Sequence, residues 1–114
     1  MGRAKTAIGM YRGDSYPIAF TLKDASGLYI DLTGCTLKMT VDTLENPPDS
    51  TTRVFEVAGV LADDPTTGVV YFTPTSLNTA TIGAYYYDVQ ITDIDGNVRT
   101  VVKNTFTISQ DITK

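Results

Sequence analysis

Residues 82–92 read Ile82-Gly83-Ala84-Tyr85-Tyr86-Tyr87-Asp88-Val89-Gln90-Ile91-Thr92, and their alternation decides the fold. Tyr85, Tyr87, Val89 and Ile91 fall on one side; Ala84, Tyr86, Asp88, Gln90 and Thr92 fall on the other. A period of two over this length is a β-strand with one buried face. The next residues, Asp93-Ile94-Asp95-Gly96-Asn97, form a turn, because Gly96 and Asn97 tolerate positive φ. Val98 to Ile108 returns as the partner strand. In it Val98, Thr100, Val102, Phe106 and Ile108 share a parity, and Lys103-Asn104 marks a bend or bulge.

The rest of the chain reads as strands that pack on this hairpin. Ala7 to Tyr11 is a first edge strand, and Arg12-Gly13-Asp14-Ser15 turns out of it. From Tyr16 to Leu22 the residues Ile18, Phe20 and Leu22 point inward, with Pro17 near the strand start, where a missing donor costs least. After a turn at 24–27 and a short mixed stretch at 28–32, Cys35 to Val41 alternates again. Leu37, Met39 and Val41 face one way; Thr36, Lys38 and Thr40 suit a solvated face. Asn46-Pro47-Pro48-Asp49-Ser50 forbids helix and central strand and makes 42–52 a loop or an edge crossing. Arg53 to Leu61 is a weaker strand pair interrupted at Ala58-Gly59, and Asp63-Asp64-Pro65-Thr66-Thr67-Gly68 is a turn. Val69 to Thr73 is a strand with Val70 and Phe72 on one face. Pro74 to Ala80 has room for one helical turn capped by Thr75-Ser76.

Strands about every ten residues, with turn chemistry between them and no 3.6-residue apolar stripe, indicate an all-β protein. The expected architecture is an immunoglobulin-like antiparallel β-sandwich of about seven strands with Greek-key connections. Its core is expected to include Ile18, Phe20, Leu22, Leu37, Met39, Val41, Val70, Phe72, Tyr85, Tyr87, Val89 and Ile91. The 114 residues make one domain, spanning 7–110, with a flexible 1–6 and a tail at 111–114. A domain of this size buries roughly two-thirds of the surface of its unfolded chain, so the core needs no metal or disulfide.

Composition narrows the function. Nine basic against thirteen acidic residues give a net charge of −4, and the basic ones are scattered singly, which excludes a clustered nucleic-acid surface. No apolar run approaches the ~20 residues of a membrane span. Met1-Gly2-Arg3-Ala4-Lys5-Thr6 lacks the apolar region of a signal peptide; it fits the loose myristoylation pattern, but a start codon followed by a small residue explains it more simply. With no histidine, no Gly-rich phosphate loop and no nucleophile elbow, nothing nominates a catalytic group, and the chain is read as a non-enzyme that needs no cofactor.

Four constellations remain. Tyr85 fits the tyrosine corner of immunoglobulin-like sandwiches, its hydroxyl bonding backbone within Leu77-Asn78-Thr79-Ala80-Thr81, and Tyr87 takes the core slot two residues later; the plain alternative is a pair of β-forming aromatics. Asp93-Ile94-Asp95-Gly96-Asn97 resembles the start of a calcium loop, but Val98 to Ile108 supplies no downstream carboxylate, so a hairpin turn suffices. Arg12-Gly13-Asp14 spells the adhesive tripeptide, which its turn role also explains. Cys35, with no histidine to activate it, reads as an inert thiol.

Several pieces together resemble one family. Tyr11-Arg12-Gly13-Asp14-Ser15-Tyr16-Pro17-Ile18-Ala19-Phe20-Thr21-Leu22-Lys23-Asp24, then Gly27, then Ile30-Asp31-Leu32-Thr33-Gly34-Cys35-Thr36-Leu37, are similar to the opening of small immunoglobulin-like domains of tailed bacteriophages. Thr67-Gly68-Val69-Val70-Tyr71-Phe72-Thr73, Gly83-Ala84-Tyr85-Tyr86-Tyr87-Asp88-Val89 and Thr92-Asp93-Ile94-Asp95-Gly96 resemble its second half. The family includes the N-terminal domain of the baseplate upper protein, which continues into a receptor-binding part; this sequence stops at Lys114, so the resemblance implies a stand-alone virion or prophage module or an excised domain. It implies location in a virion assembled in the bacterial cytoplasm, in the tail or baseplate, among other phage structural proteins and with homo-oligomers possible. Ala7 to Tyr11 and Arg53 to Val57 are the expected docking edges. The alternative is a carbohydrate-binding or adhesin-like module on a phage or bacterial surface, with Tyr86, Tyr11, Tyr29 and Tyr16 as stacking platforms.

Overall fold

The computed structural model describes residues 7–112; the expected flexible segment 1–6, with its myristoylation pattern, and the last two residues of the expected tail lie outside it. Eight strands follow one another: β1 (Ile8–Tyr11), β2 (Ile18–Thr21), β3 (Thr36–Asp42), β4 (Arg53–Ala58), β5 (Val60–Leu61), β6 (Val69–Phe72), β7 (Gly83–Thr92) and β8 (Val98–Ser109). They form a five-stranded sheet of order β1-β8-β7-β3-β4 and a three-stranded sheet of order β2-β6-β5. This is an all-β, immunoglobulin-like sandwich: the chain passes from sheet to sheet between β1 and β2, β2 and β3, β4 and β5, and β6 and β7. The pairing is antiparallel except at one edge, where β1 runs parallel to β8, with Ile8 opposite Phe106 and Tyr11 opposite Ser109.

Alternation carries the packing. Along β7 the odd residues Tyr85, Tyr87, Val89 and Ile91 are buried, and the even ones from Tyr86 to Thr92 are half-buried on the outer face. Aromatic rings then join the two layers. Phe20 and Phe72 of the small sheet meet edge to face at 5.8 Å, Phe20 lies 6.0 Å from Tyr87, and Tyr87 and Phe55 both pack on Phe106. Of the expected core residues, Ile18 alone is only partly buried, because it begins β2 at the edge of the small sheet. Leu32, in the connection from β2 to β3, is fully buried and is held there by its N–H bonding Pro65 O at 2.9 Å.

Two departures from the simple alternation have physical causes. Val89 pairs with Val102 but Gln90 pairs with Thr100, so Val101 stands unopposed and the bulge lies there, not at Lys103-Asn104. The extra residue reverses the parity upstream of it: Val98 and Thr100 are exposed, while the adjacent Val101 and Val102 are both buried. The second departure is at Gly59, between β4 and β5. These are not a hairpin pair but members of different sheets, and a Cβ on Gly59 would lie 2.8 Å from Val70 Cγ2 and 3.0 Å from Phe72 Cε1. The backbone crosses so close to the core that there is no room for a side chain.

No described residue is in an α-helix. The segment 74–80 is a turn closed reciprocally: Asn78 N–H donates to Thr75 Oγ1 at 3.1 Å, and Thr75 N–H donates to Asn78 Oδ1 at 2.8 Å. A single 3-10 turn falls instead at Pro65–Thr67, capped by the Asp64 carboxylate and ended by Gly68 at φ 72°.

Candidate functional site

The even residues of β7 place Tyr86, Asp88 and Gln90 in a row on the outer face of the five-stranded sheet. Register brings polar neighbours beside them. Asp88 stands between Thr40 of β3 and Lys103 of β8, and Gln90 stands beside Lys38. The β3–β4 loop, residues 43–52, rises along this row and borders a groove of about 510 Å³ lined by Lys38, Thr40, Glu56, Tyr86, Asp88, Gln90 and Lys103 together with loop residues Leu44 to Pro47, Asp49 and Ser50.

The loop has identifiable ties. Asp42, buried at the end of β3, accepts from Thr52 Oγ1 at 2.7 Å and Leu44 N–H at 2.9 Å. Asp49 accepts from the Thr51 hydroxyl at 2.6 Å and its N–H at 2.9 Å, which holds the carboxyl below its ordinary range. Lys103 Nζ donates to Asn46 Oδ1 at 2.8 Å, bridging the groove from β8 to the loop tip. On the far wall Glu56 gathers Arg53 Nη1 at 2.9 Å, Lys38 Nζ at 3.4 Å and the Thr40 hydroxyl at 3.4 Å. The cations on this wall are therefore already engaged.

Asp88 differs. No described residue donates a hydrogen bond to it, and none bonds the side chains of Tyr86 or Gln90. Burial pushes the Asp88 carboxyl above the usual carboxylate range, against the opposing pull of Lys103 and Lys38. The groove thus presents a ring, a carboxylate and a carboxamide two residues apart, about 7 Å between successive side chains, none of them hydrogen-bonded by its side chain to another described residue.

The other sequence-derived candidates fall elsewhere. Tyr85 donates its hydroxyl to Thr81 O at 2.9 Å, and its ring lies over Gly83, where a Cβ would stand 2.9 Å from Cζ and 2.9 Å from the hydroxyl. Tyr87 is buried in the aromatic cluster, and that burial pushes its phenol far above the ordinary value. Tyr11 and Tyr16 lie at the β1 end of the molecule, where the Tyr16 hydroxyl approaches Gly9 O at 3.5 Å. Tyr29 lies beyond β2, across from Lys23, whose Nζ sits 5.1 Å from the ring centre. The structure does not gather Tyr86, Tyr11 and Tyr29 into one platform; Tyr86 alone lines the groove.

Arg12-Gly13-Asp14 is occupied by the fold. Arg12 Nη2 pairs with Asp111 Oδ1 at 3.0 Å, which ties down the first residue of the expected tail, and Asp14 Oδ2 caps Tyr11 N–H at 3.2 Å. Gly13 N–H and the Asp14 carbonyl both bond Thr79, which is fully buried. At the opposite end Asp93 turns its carboxylate onto the N–H groups of Asp95 and Asn97, at 3.0 and 2.9 Å, closing its own hairpin. Cys35 is half-buried, and burial with the nearby Asp93 and Asp31 carboxylates raises its thiol pKa, which disfavours the thiolate.

No family model matches this sequence. No curated protein matches it. Among solved structures, the soluble domain of PmoD from Methylocystis sp. (Rockwell), known from a crystal structure, is similar with a TM-score of 0.51, covering 90% of this chain and 77% of that one at 14% identity. At that identity the likeness speaks to the β-sandwich fold alone.

Proposed function

We propose that this domain is a non-enzymatic docking module of a tailed-phage or prophage virion, part of the tail or baseplate, that holds a neighbouring structural protein through an open sheet edge. The family resemblance of its motifs supplies the setting. The observation that carries the docking is the state of the two edges of the five-stranded sheet. At β1 the backbone is partly closed off: Asp14 takes the Tyr11 N–H at 3.2 Å and the Tyr16 hydroxyl approaches Gly9 O at 3.5 Å. At β4 it is open. Gly59 N–H donates to Leu37 O at 2.8 Å, so by strand alternation the N–H and C=O of the preceding Ala58 point away from β3. An added strand from a partner would find its hydrogen bonds there.

Mass spectrometry of purified particles, from the source or induced from it, tests the setting: many copies per particle are expected, and absence from the particles refutes it. Ala58→Pro tests the edge. It removes an outward N–H without touching the ladder to β3, so the domain stays folded and incorporation falls. Incorporation at the wild-type level would eliminate β4 as the docking edge.

A further inference from the structure

We infer that the groove over β7 is a binding site for a neutral saccharide, recognised by side chains of Tyr86, Asp88, Gln90, Lys38 and Lys103. This activity is independent of the edge docking proposed above, because it uses a sheet face and no edge backbone.

The floor itself narrows the class of ligand. β7 is paired on both sides, by β8 and β3, and β3 is paired on both sides, by β7 and β4. Their backbone groups are committed, so an extended peptide would find no strand to extend here. Recognition must come from side chains. Those present mix donors and acceptors at short spacing: Asp88 accepts only, Lys38 and Lys103 donate only, and Gln90 and the Tyr86 hydroxyl do both. A sugar hydroxyl is also both donor and acceptor, and vicinal hydroxyls suit such an array. The Tyr86 ring at one end offers an apolar surface with a polar tip, which fits the C–H face of a pyranose. A cavity of about 510 Å³ lies within the range of small-molecule sites.

Charge excludes the alternatives. The lining carries the carboxylates of Asp42, Glu45, Asp49, Glu56 and Asp88 against the cations of Lys38, Arg53 and Lys103, and Arg53 and Lys38 pair with Glu56, so the groove offers no excess of positive charge to a phosphate or sulfate. A cationic ligand seated on Asp88 would meet Lys38 and Lys103 flanking that carboxylate. A neutral polyhydroxyl ligand leaves this charge balance unchanged and can accept from the ammonium hydrogens of Lys38 and Lys103 that these pairs leave over. It also supplies Asp88 with the donors that the fold withholds from it, and the upward shift of the Asp88 carboxyl is in keeping with a group that burial has deprived of water.

The test begins with the purified chain on an array of neutral and acidic oligosaccharides, followed by isothermal titration of the strongest neutral binder. Weak, saturable binding is expected, with Tyr86→Ala and Asp88→Asn each losing at least tenfold in affinity and Tyr29→Ala and Ala58→Pro unchanged. Thermal melts check that the variants remain folded. If no neutral glycan binds at millimolar concentration, or acidic glycans bind better, the inference is overturned. It is overturned equally if Tyr86→Ala and Asp88→Asn bind as the wild type does, or if Tyr29→Ala is the variant that fails. Because Ala58→Pro should lose incorporation and keep the sugar, the two proposals fail separately.

Discussion

Gly83 and Tyr85 form a pair whose coupling can be measured. The Tyr85 hydroxyl donates to Thr81 O at 2.9 Å, and the ring reaches that carbonyl by lying across Gly83. Tyr85→Phe removes one hydrogen bond at the end of the sandwich and should cost about 1 kcal/mol, the net value of such a bond, because Thr81 is exposed and water can rehydrate its carbonyl. For a domain of this size that lowers the melting temperature by ~4 °C. Gly83→Ala adds a Cβ 2.9 Å from the Tyr85 Cζ, so the ring must move and the bond is strained or lost; about 1–3 kcal/mol is expected. Gly83 does not have positive φ, so alanine has no backbone objection at this site. In a Tyr85→Leu background the atoms that crowd the new methyl are gone. There Gly83→Ala should become neutral or stabilise by about 0.5–1 kcal/mol, because alanine loses less backbone entropy than glycine in a strand. Urea melts of the four proteins give the cycle. An equal cost for Gly83→Ala in both backgrounds would show that the glycine serves something other than the ring, and the account of the corner would be wrong.

Three further outcomes follow from the same geometry. Gly68→Ala should cost at least about 2 kcal/mol, read by chemical denaturation, since the residue has φ 72° and its Cβ would stand 2.6 Å from Leu22 O. Lys103→Ala should raise amide exchange in residues 43–52 while shifting global stability by less than about 1 kcal/mol, because the tie to Asn46 is exposed and holds only the loop. Asp88→Asn should make the protein more stable near neutral pH and little different near pH ~3. The folded Asp88 carboxyl lies above its ordinary 3.8, so the folded chain holds that proton more tightly than the unfolded chain; the cost of the charge is absent below 3.8 and grows as pH rises through the raised value. Asp31, Asp49, Asp64 and Asp93 shift the other way and lose their contribution as pH falls, so the difference between wild type and Asp88→Asn isolates the one group.

The strands were legible where one face is buried and the alternation is unbroken, as in β3 and β7. The corner was legible because it is local: ring, glycine and acceptor lie within five residues of one another. Reading β8 by parity fails at Val101-Val102. Two adjacent apolar residues fit either register, and only pairing with β7 shows that both are buried and that the residues before them are exposed. The 3-10 turn at Pro65–Thr67 was visible as a turn, since Asp64 caps it locally. The groove was not visible as a site. Its floor could be read as an outward face, but its wall depends on Lys103 reaching Asn46 across a sequence separation of 57, and no local pattern encodes that contact.

The placement of acidic residues gives the groove its significance. Asp24, Asp31, Asp49, Asp64 and Asp93 each accept an N–H from the residue two positions on, so each is explained by the turn it builds. Asp14 caps an edge N–H, Asp42 anchors a loop and Asp111 pairs with Arg12. Asp88 builds no turn and caps nothing. It lies in a strand paired on both sides, where aspartate is disfavoured, and burial raises the cost of its charge. A threonine there would serve the sheet better. Glu45, Asp63 and Asp95 accept no described hydrogen bond either, but they are exposed to water; Asp88 is half-buried beside Lys103 and Lys38 without a described donor, and a hydroxyl ligand in the groove would supply one.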